Sequence, residues 1–132
     1  MIGVDTNVLV RYFAEDDAAQ VALARRLLER DATPDDPVRV GSVVLAETAW
    51  VLQSRYFATR DEIADVLDEL LTDPRVNLQD EAAVAVAAHE FATSNADFSD
   101  LLISAINTLH GCRTTLTFDK QAAKVAGMAL LR

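Results

Sequence analysis

Short apolar segments with β-strand character alternate with longer segments of helical periodicity along the chain. The apolar segments are residues 1–4, 38–41, 76–78, 114–118 and 128–131, and the helical ones are 6–13, 17–31, 43–56, 60–72, 81–95, 98–110 and 120–126. Strands that alternate with helices usually form a mostly parallel sheet with helices on both faces. The pattern predicts an α/β fold that binds ligands beyond the carboxyl ends of its strands.

Length and composition indicate one globular domain. The chain has 132 residues, of which 51% are hydrophobic, and this is enough for a single core. Its longest apolar run, residues 82–88, is far shorter than the roughly 20 residues that span a bilayer. The single cysteine, Cys112, has no disulfide partner, which favours a buried thiol and a reducing, cytoplasmic compartment.

Acidic residues outnumber basic ones, and the net charge is −9. A protein with this charge does not hold nucleic acid by bulk electrostatic attraction alone. The imbalance lies in residues 61–102, which hold 11 acids and one base, Arg75. Most of these acids are expected on solvated helix faces. Carboxylates at other kinds of position are therefore more informative.

Two aspartates directly follow apolar strands. Asp5 ends the first strand, and Asp119 ends the strand at residues 114–118. In one parallel sheet, both side chains would emerge at the same carboxyl edge. Each could also be a simple helix N-cap, because aspartate is favoured at strand-to-helix junctions. The pair is more suggestive of a site than either residue alone.

Glu47 lies within an apolar helix. Its neighbours three and four positions away are Val43, Val44, Trp50 and Val51. This spacing predicts that Glu47 lies on the buried stripe of the helix, where a carboxylate needs a cation, a hydrogen-bond network or a metal. A structural glutamate paired with Arg11 or Arg55 is an equally open interpretation.

The apolar helix at residues 98–110 carries a polar stripe. Asp97, Asp100, Ser104 and Asn107 follow one another at helical spacing, which predicts a polar group opposite them. Asp97 is best interpreted as the N-cap of this helix. Asp100 lies in the first turn, on the side of the predicted strand ends, and is the stronger functional candidate.

Asp5, Glu47, Asp100 and Asp119 would then converge at one edge of the sheet. Four neighbouring carboxylates cannot all stay ionised at neutral pH without a cation between them. Mg²⁺ and Mn²⁺ prefer oxygen ligands and are typically held by a few carboxylates together with a substrate phosphate. Such a metal would also supply positive charge where a phosphate must bind.

Several segments of the chain together match a known family pattern. They are Ile2-Gly3-Val4-Asp5-Thr6-Asn7-Val8-Leu9, Glu47 in its apolar helix, Ala96-Asp97-Phe98-Ser99-Asp100-Leu101-Leu102-Ile103, and Thr115-Leu116-Thr117-Phe118-Asp119. In this order the sequence resembles a PIN-domain protein of the VapC toxin type over essentially its whole length. The resemblance implies a single three-layer α/β/α domain over residues 1–132, with a central, mostly parallel sheet of four to five strands.

The resemblance also implies roles for individual residues. Asp5, Glu47, Asp100 and Asp119 would be the catalytic residues and would hold Mg²⁺ or Mn²⁺. The residues that support these ligands would be Thr6, Asn7, Asp97 and Thr117.

For the protein as a whole, the resemblance implies an endoribonuclease, the toxin of a type II toxin–antitoxin system. Its implied partners are an RNA substrate, a cognate antitoxin that blocks the site, and a second copy of the chain in a homodimer. Hydrolysis by metal-activated water would leave 5′-phosphate and 3′-hydroxyl ends.

RNA binding around an acidic centre also needs protein cations. Arg11, Lys120 and Lys124 lie in predicted helices that begin at the two strand-end aspartates, and they are the candidates for phosphate contacts. Three aromatic residues in and directly after the third helical segment are expected in the core first, and in a dimer or antitoxin contact second. They are Trp50, Tyr56 and Phe57.

Two other functions remain open at this point. A DNase or structure-specific nuclease would use the same metal site, and a substrate panel is needed to distinguish it. A catalytically silent PIN-like module, or a phosphoacceptor receiver, would bind metal or nucleic acid without cleaving it. A receiver usually has a lysine on a late strand, whereas no lysine precedes Lys120 here.

Overall fold

The computed structural model describes all of residues 1–132, which divide into two units, Met1–Gln79 and Asp80–Arg132. The elements of the first unit are β1 (Ile2–Gly3), α1 (Thr6–Ala14), α2 (Ala18–Arg25, continued by a π-helical segment at Arg26–Asp31), β2 (Val38–Val40), α3 (Ser42–Arg55), α4 (Arg60–Thr72) and β3 (Val76–Leu78). Those of the second unit are α5 (Glu81–Thr93), α6 (Phe98–Leu109), β4 (Thr115–Thr117), a 3₁₀ turn (Ala122–Lys124) and β5 (Met128–Leu130). The single domain expected over residues 1–132 stays a prediction.

All strand pairings are parallel, as an α/β fold requires. In the first unit the strand order is β1-β2-β3, with Ile2 opposite Val38 and Val38 opposite Val76. In the second unit β4 pairs with β5, with Thr115 opposite Met128. These observations confirm the predicted α/β class with parallel strands.

The five strands form two sheets, which differs from the single central sheet that the resemblance implies. One sheet has three strands and the other has two. The strands are short, and β1 has only two residues. A strand of this length offers few backbone groups for pairing.

Local capping signals determine where several helices begin. Asp17 caps α2 by accepting a hydrogen bond from the Gln20 amide at 3.0 Å. Thr59 and Glu62 form a reciprocal capping box at the start of α4. A serine at the start of a helix predicts an N-cap, and that prediction is wrong for Ser42, because Gly41 occupies the N-cap position of α3 and Ser42 is the first helical residue.

The helix expected at residues 120–126 is also wrong. Only Ala122–Lys124 is helical, as a single 3₁₀ turn. Val125 is already extended (φ −69°, ψ 138°), and Gly127 has a positive φ of 86°. This left-handed glycine redirects the chain into β5, which leaves no length for a full helix.

Each unit has its own apolar core. The first unit buries Leu9, Val38, Leu45, Ile63 and Leu67. In the second unit α5 packs against α6, and the rings of Phe91 and Phe98 meet edge to face with centroids 5.8 Å apart. No helix in the structure combines the length and apolarity needed to cross a membrane.

Three side chains expected in the interior are not there. Phe57 is 84% exposed and Trp50 is 55% exposed, whereas Tyr56 is half-buried. Trp50 lies opposite the face of α3 that packs inward, and Phe57 follows the helix in a left-handed conformation (φ 56°). Cys112, expected to be buried, is also exposed because it lies in the loop after α6.

Candidate functional site

Asp5 lies directly after β1 and caps α1. The Val4 amide donates to the Arg39 carbonyl at 3.1 Å and extends the pairing of β1 with β2 up to this point. Asp5 Oδ1 then accepts a hydrogen bond from the Val8 amide at 3.2 Å. Its other carboxylate oxygen has no hydrogen bond, and the residue is exposed. The cap thus fixes the side chain and leaves one oxygen available for a ligand.

Thr6 and Glu47 are joined by a hydrogen bond within the first unit. The Thr6 hydroxyl donates to Glu47 Oε1 at 2.5 Å, and Thr6 is itself 8% exposed. The partner of Glu47 is therefore neither Arg11 nor Arg55. Asn7, the next residue, is exposed and its side chain makes no hydrogen bond.

The predicted burial of Glu47 is wrong. The inward face of α3 carries Leu45, Thr48, Ala49 and Leu52, and Glu47 is exposed on the other side of the helix. Val43, which the spacing placed with Glu47 on a buried stripe, is 82% exposed. An exposed carboxylate needs no buried counter-charge, so the argument that desolvation forces a metal does not hold for Glu47.

In the second unit, Asp97 and Asp119 organise the backbone around Asp100. Asp97 Oδ2 accepts a hydrogen bond from the Asp100 amide at 3.3 Å, which confirms Asp97 as the N-cap of α6. Asp119 Oδ1 accepts hydrogen bonds from the Gln121 amide at 2.7 Å and the Ala122 amide at 3.2 Å. Thr117 supports this turn, because its hydroxyl oxygen accepts a hydrogen bond from the Asp119 amide at 3.0 Å.

Among the candidate ligands, Asp100 has a carboxyl group whose pKa is shifted from its ordinary value. Partial burial raises the pKa of its carboxyl group, and the nearby charges of Asp97 and Asp119 raise this pKa further. Asp97 and Asp119 thus act on Asp100 as like charges. A cation bound there would relieve this repulsion.

The C-terminal half of the polar stripe on α6, formed by Ser104 and Asn107, has a structural role. Ser104 Oγ donates to the Ala126 carbonyl at 2.7 Å, and Asn107 Nδ2 donates to Thr115 Oγ1 at 2.9 Å. These bonds hold α6 against β4 and the turn before β5. They confirm that the stripe faces polar groups, and they leave Asp100, in the first turn, free of this packing role.

The three candidate RNA-binding cations differ in their surroundings. The Arg11 guanidinium donates to Gln20 at 2.6 Å and to the Tyr56 hydroxyl at 3.2 Å, and it lies 3.4 Å from Asp16. The Tyr56 hydroxyl in turn donates to Asp16, which lowers the pKa of the Asp16 carboxyl. Arg11 therefore links α1 to the end of α3, and an RNA contact would compete with these bonds. Lys120 and Lys124 are exposed and have no partner.

A cavity of about 510 Å³ lies beside Asp97 and Asp100 in the second unit. Lys124 lines it, together with Asn95 and Gln121. Sequence reasoning did not single out these two amides. A signal was nevertheless present, since each lies two residues from an aspartate of the set, at Asp97 and Asp119.

The donor set fits a hard divalent cation by its chemistry. Every candidate ligand is a carboxylate, the type of group that Mg²⁺ and Mn²⁺ prefer, and the like-charge effect on Asp100 favours a bound cation. No three His, Cys, Asp or Glu side chains in the structure have the spacing of a metal site. The joint role of Asp5, Glu47, Asp100 and Asp119 therefore stays a prediction.

Comparison with known proteins identifies the family. Residues 2–128 match the PIN domain, and because this is nearly the whole chain, the protein belongs to the PIN-domain family. No curated protein and no solved structure gives a match. PIN domains are generally metal-dependent nucleases and typically bind divalent metals. Membership therefore indicates a nuclease-type hydrolase.

Proposed function

We propose that this PIN domain is an Mg²⁺- or Mn²⁺-dependent endoribonuclease of the VapC toxin type. The observation that carries the proposal is the family match over residues 2–128, on a chain whose ordered acidic motifs resemble those of such toxins. Asp5, Glu47, Asp100 and Asp119 are the proposed metal-binding and catalytic residues. A divalent ion, when bound, supplies an activated water and neutralises charge on the scissile phosphate.

The chain's own residues would orient the ligands. The capping bond to the Val8 amide holds Asp5, the Thr6 hydroxyl holds Glu47, and two backbone amides hold one oxygen of Asp119. Each of these carboxylates is thus fixed by a bond that uses only one of its oxygens. Because the side chains are already ordered, less conformational entropy is lost when they bind a ligand.

Cleavage of total RNA by the purified protein tests this function. Mg²⁺ or Mn²⁺ is supplied, and EDTA and Asp5→Asn serve as the two inactivating conditions. Asp35→Asn is the matched control, because Asp35 is an exposed loop carboxylate without a partner. We expect cleavage by the wild type and by Asp35→Asn, loss of at least about a hundredfold in Asp5→Asn, and fragments with 5′-phosphate and 3′-hydroxyl ends.

Other outcomes point to the alternative functions. Fragments with 2′,3′-cyclic phosphate ends would contradict hydrolysis by water. Cleavage of DNA but not RNA would favour a DNase. If folded wild-type protein and Asp5→Asn both fail to cleave, a silent binding module is the better description.

The biological role is a further part of the proposal, and it rests on the VapC resemblance. The protein would act as a homodimeric, cytoplasmic toxin that a cognate antitoxin inhibits. Induced expression in a bacterial host should stop growth with the wild type and not with Asp5→Asn at equal protein levels. Light scattering of the purified protein should give about twice the chain mass of 14.4 kDa; a monomer would contradict the dimer.

A further inference from the structure

The cavity beside Asp100 presents polar side chains that have no partner within the protein. Asn95 and Gln121 contribute carboxamide groups, and Lys124 contributes an ammonium group. None of these three side chains has a hydrogen bond or an ion pair in the structure. All three side chains are exposed, and a small number of polar groups along one cavity is enough to orient a bound ligand.

The backbone that carries the two amides is held in place. Ser94 Oγ donates to the Glu90 carbonyl at 2.7 Å and accepts a hydrogen bond from the Ala96 amide at 3.3 Å, so the residues on both sides of Asn95 are fixed. The Gln121 amide donates to Asp119 at 2.7 Å. The side chains are therefore unbonded while their main chain is ordered, which lowers the entropic cost of binding a ligand.

The chemistry of the lining indicates which ligand fits. A carboxamide offers both donors and an acceptor, and this combination matches the hydrogen-bonding edge of a nucleobase. Lys124 is the only cation that lines the cavity, and a lysine ammonium binds phosphate oxygens as a point charge. Asp97 and Asp100 also line it, and carboxylates without a bound cation repel a phosphate, so the phosphate of this nucleotide is expected at Lys124.

Size restricts the ligand further. Sites for small ligands have volumes of about 300–1,000 Å³, and this cavity of about 510 Å³ lies within that range. A base that is paired and stacked within a duplex cannot enter such a cavity, whereas the splayed base of a single strand can.

We propose that the cavity binds one nucleotide of single-stranded RNA, with the base hydrogen-bonded to Asn95 and Gln121 and a phosphate at Lys124. This inference rests on the proposed ribonuclease function and deepens it. The two amides become specificity-determining residues, because they would select the base that lies next to the candidate metal ligand Asp100.

Binding is measured separately from cleavage. In the Asp5→Asn background with Mg²⁺ present, the affinity for short labelled homopolymers of each of the four ribonucleotides is compared with that for a blunt-ended RNA duplex, which has no unpaired bases. Asn95→Ala and Gln121→Ala should each weaken binding of the preferred homopolymer by about tenfold and reduce the difference between homopolymers. Lys124→Ala should weaken all four and lower the slope of log affinity against log salt by about one.

Matched controls exclude a general effect of losing an amide or a charge. Gln53→Ala removes a carboxamide from α3, and Arg113→Ala removes an exposed cation from the loop after α6; neither residue lines the cavity. Both should bind all RNAs as the parent does. The proposal is overturned if Asn95→Ala and Gln121→Ala retain the parent's base preference, or if the blunt-ended duplex binds as tightly as the single strand.

Cleavage by the otherwise wild-type protein separates this proposal from the proposed function. The bases that flank the cut sites should change in Asn95→Ala and Gln121→Ala. If both variants cleave RNA at unchanged sites, the nucleotide-binding proposal is wrong and the ribonuclease proposal stands. If the wild type does not cleave RNA but binds it with a base preference that needs Asn95 and Gln121, the nucleotide-binding proposal stands and the ribonuclease proposal is wrong.

Discussion

The Thr6 hydroxyl orients Glu47. It lies in a buried position and donates a hydrogen bond to Glu47 Oε1 at 2.5 Å. Thr6→Val keeps the approximate shape of the side chain and removes the donor. We expect it to lower the free energy of unfolding by about 1–2 kcal/mol and to reduce any nuclease activity, because Glu47 loses the bond that orients it. Urea unfolding and an RNA cleavage assay measure the two effects.

Thr6→Ser is the control for this prediction because it retains the hydroxyl group. It should preserve most of the activity even if the lost methyl group costs some stability. Equal activity losses in Thr6→Val and Thr6→Ser would show that the hydroxyl does not matter and that the packing of the side chain does.

Asp73 and Arg75 form the best-connected ion pair of the first unit. Arg75 donates to Asp73 Oδ1 from both Nε and the backbone amide, and to Oδ2 from Nη2, each at 2.9 Å. The side-chain bond from Arg75 is the main cause that lowers the pKa of the Asp73 carboxyl below its ordinary value of 3.8. Arg75 also donates to the Glu29 carbonyl at 3.1 Å and so connects β3 to the π-helical segment.

The sign of the resulting pH dependence follows from this lowered pKa. The folded state holds the ionised carboxylate more strongly than the unfolded state does. Its contribution to stability is complete above the unfolded pKa and is lost as the pH falls through the folded pKa. Asp73→Asn should therefore cost about 1–3 kcal/mol near neutral pH, and urea unfolding should show this difference shrinking below about pH 4. A difference that does not depend on pH would contradict the charge argument.

Helix α6 is held to the turn before β5 by a close contact at Gly127. A Cβ atom built there would lie 2.6 Å from Ser104 Oγ, and the φ of 86° is itself unfavourable for other residues. Gly111 has a similar φ of 91° but open space around it. Gly111→Ala should thus cost about 1–2 kcal/mol for the backbone alone, and Gly127→Ala about 1–3 kcal/mol more because of the clash.

Thermal or urea unfolding of the two alanine variants measures this difference. If Gly127→Ala and Gly111→Ala lose equal stability, the close packing of Ser104 on the turn contributes nothing. Ser104→Ala alone should cost about 1 kcal/mol, since it removes the hydrogen bond to the Ala126 carbonyl.

Short-range signals explain which elements the sequence predicts well. The boundaries of α1 and α4 are confirmed within about one residue, because caps such as Asp5 and Thr59 lie beside the turns that they stabilise. Features that depend on distant residues are predicted poorly. The Thr6–Glu47 bond joins positions 41 residues apart, and the outward direction of Glu47 depends on which face of α3 packs inward.

In the candidate site too, local roles can be predicted from the sequence and roles that depend on distant residues cannot. The N-cap roles of Asp5 and Asp97 are evident from residue type and position, and the structure confirms them. For the amides Asn95 and Gln121 the only sequence signal is their position two residues from Asp97 and Asp119, and it is weak because a loop asparagine and a glutamine after a strand are common in any protein. They become candidates only when folding brings residues 95, 121 and 124 to one cavity.

The net charge of −9 predicts that salt stabilises the folded protein. Any salt screens the general repulsion among carboxylates. The proposed divalent cation at Asp100 would add a specific stabilisation, because burial and the charges of Asp97 and Asp119 raise the pKa of that carboxyl and disfavour its ionised form. The raised pKa lowers stability as the pH rises through it, and a bound cation offsets this loss.

Thermal unfolding in Mn²⁺ distinguishes stabilisation by a metal bound at Asp100 from general screening by salt. At a metal concentration of about ten times the dissociation constant, binding adds about 1.4 kcal/mol, which raises Tm by about 4 °C for a chain of this size. The rise should exceed that in NaCl of equal ionic strength, grow with pH above the Asp100 pKa, and disappear with EDTA. Asp100→Asn should lose the excess, and the exposed-loop control Asp35→Asn should keep it. An equal rise in NaCl, or in Asp100→Asn, would mean that Mn²⁺ acts by screening alone and that Asp100 does not bind the metal.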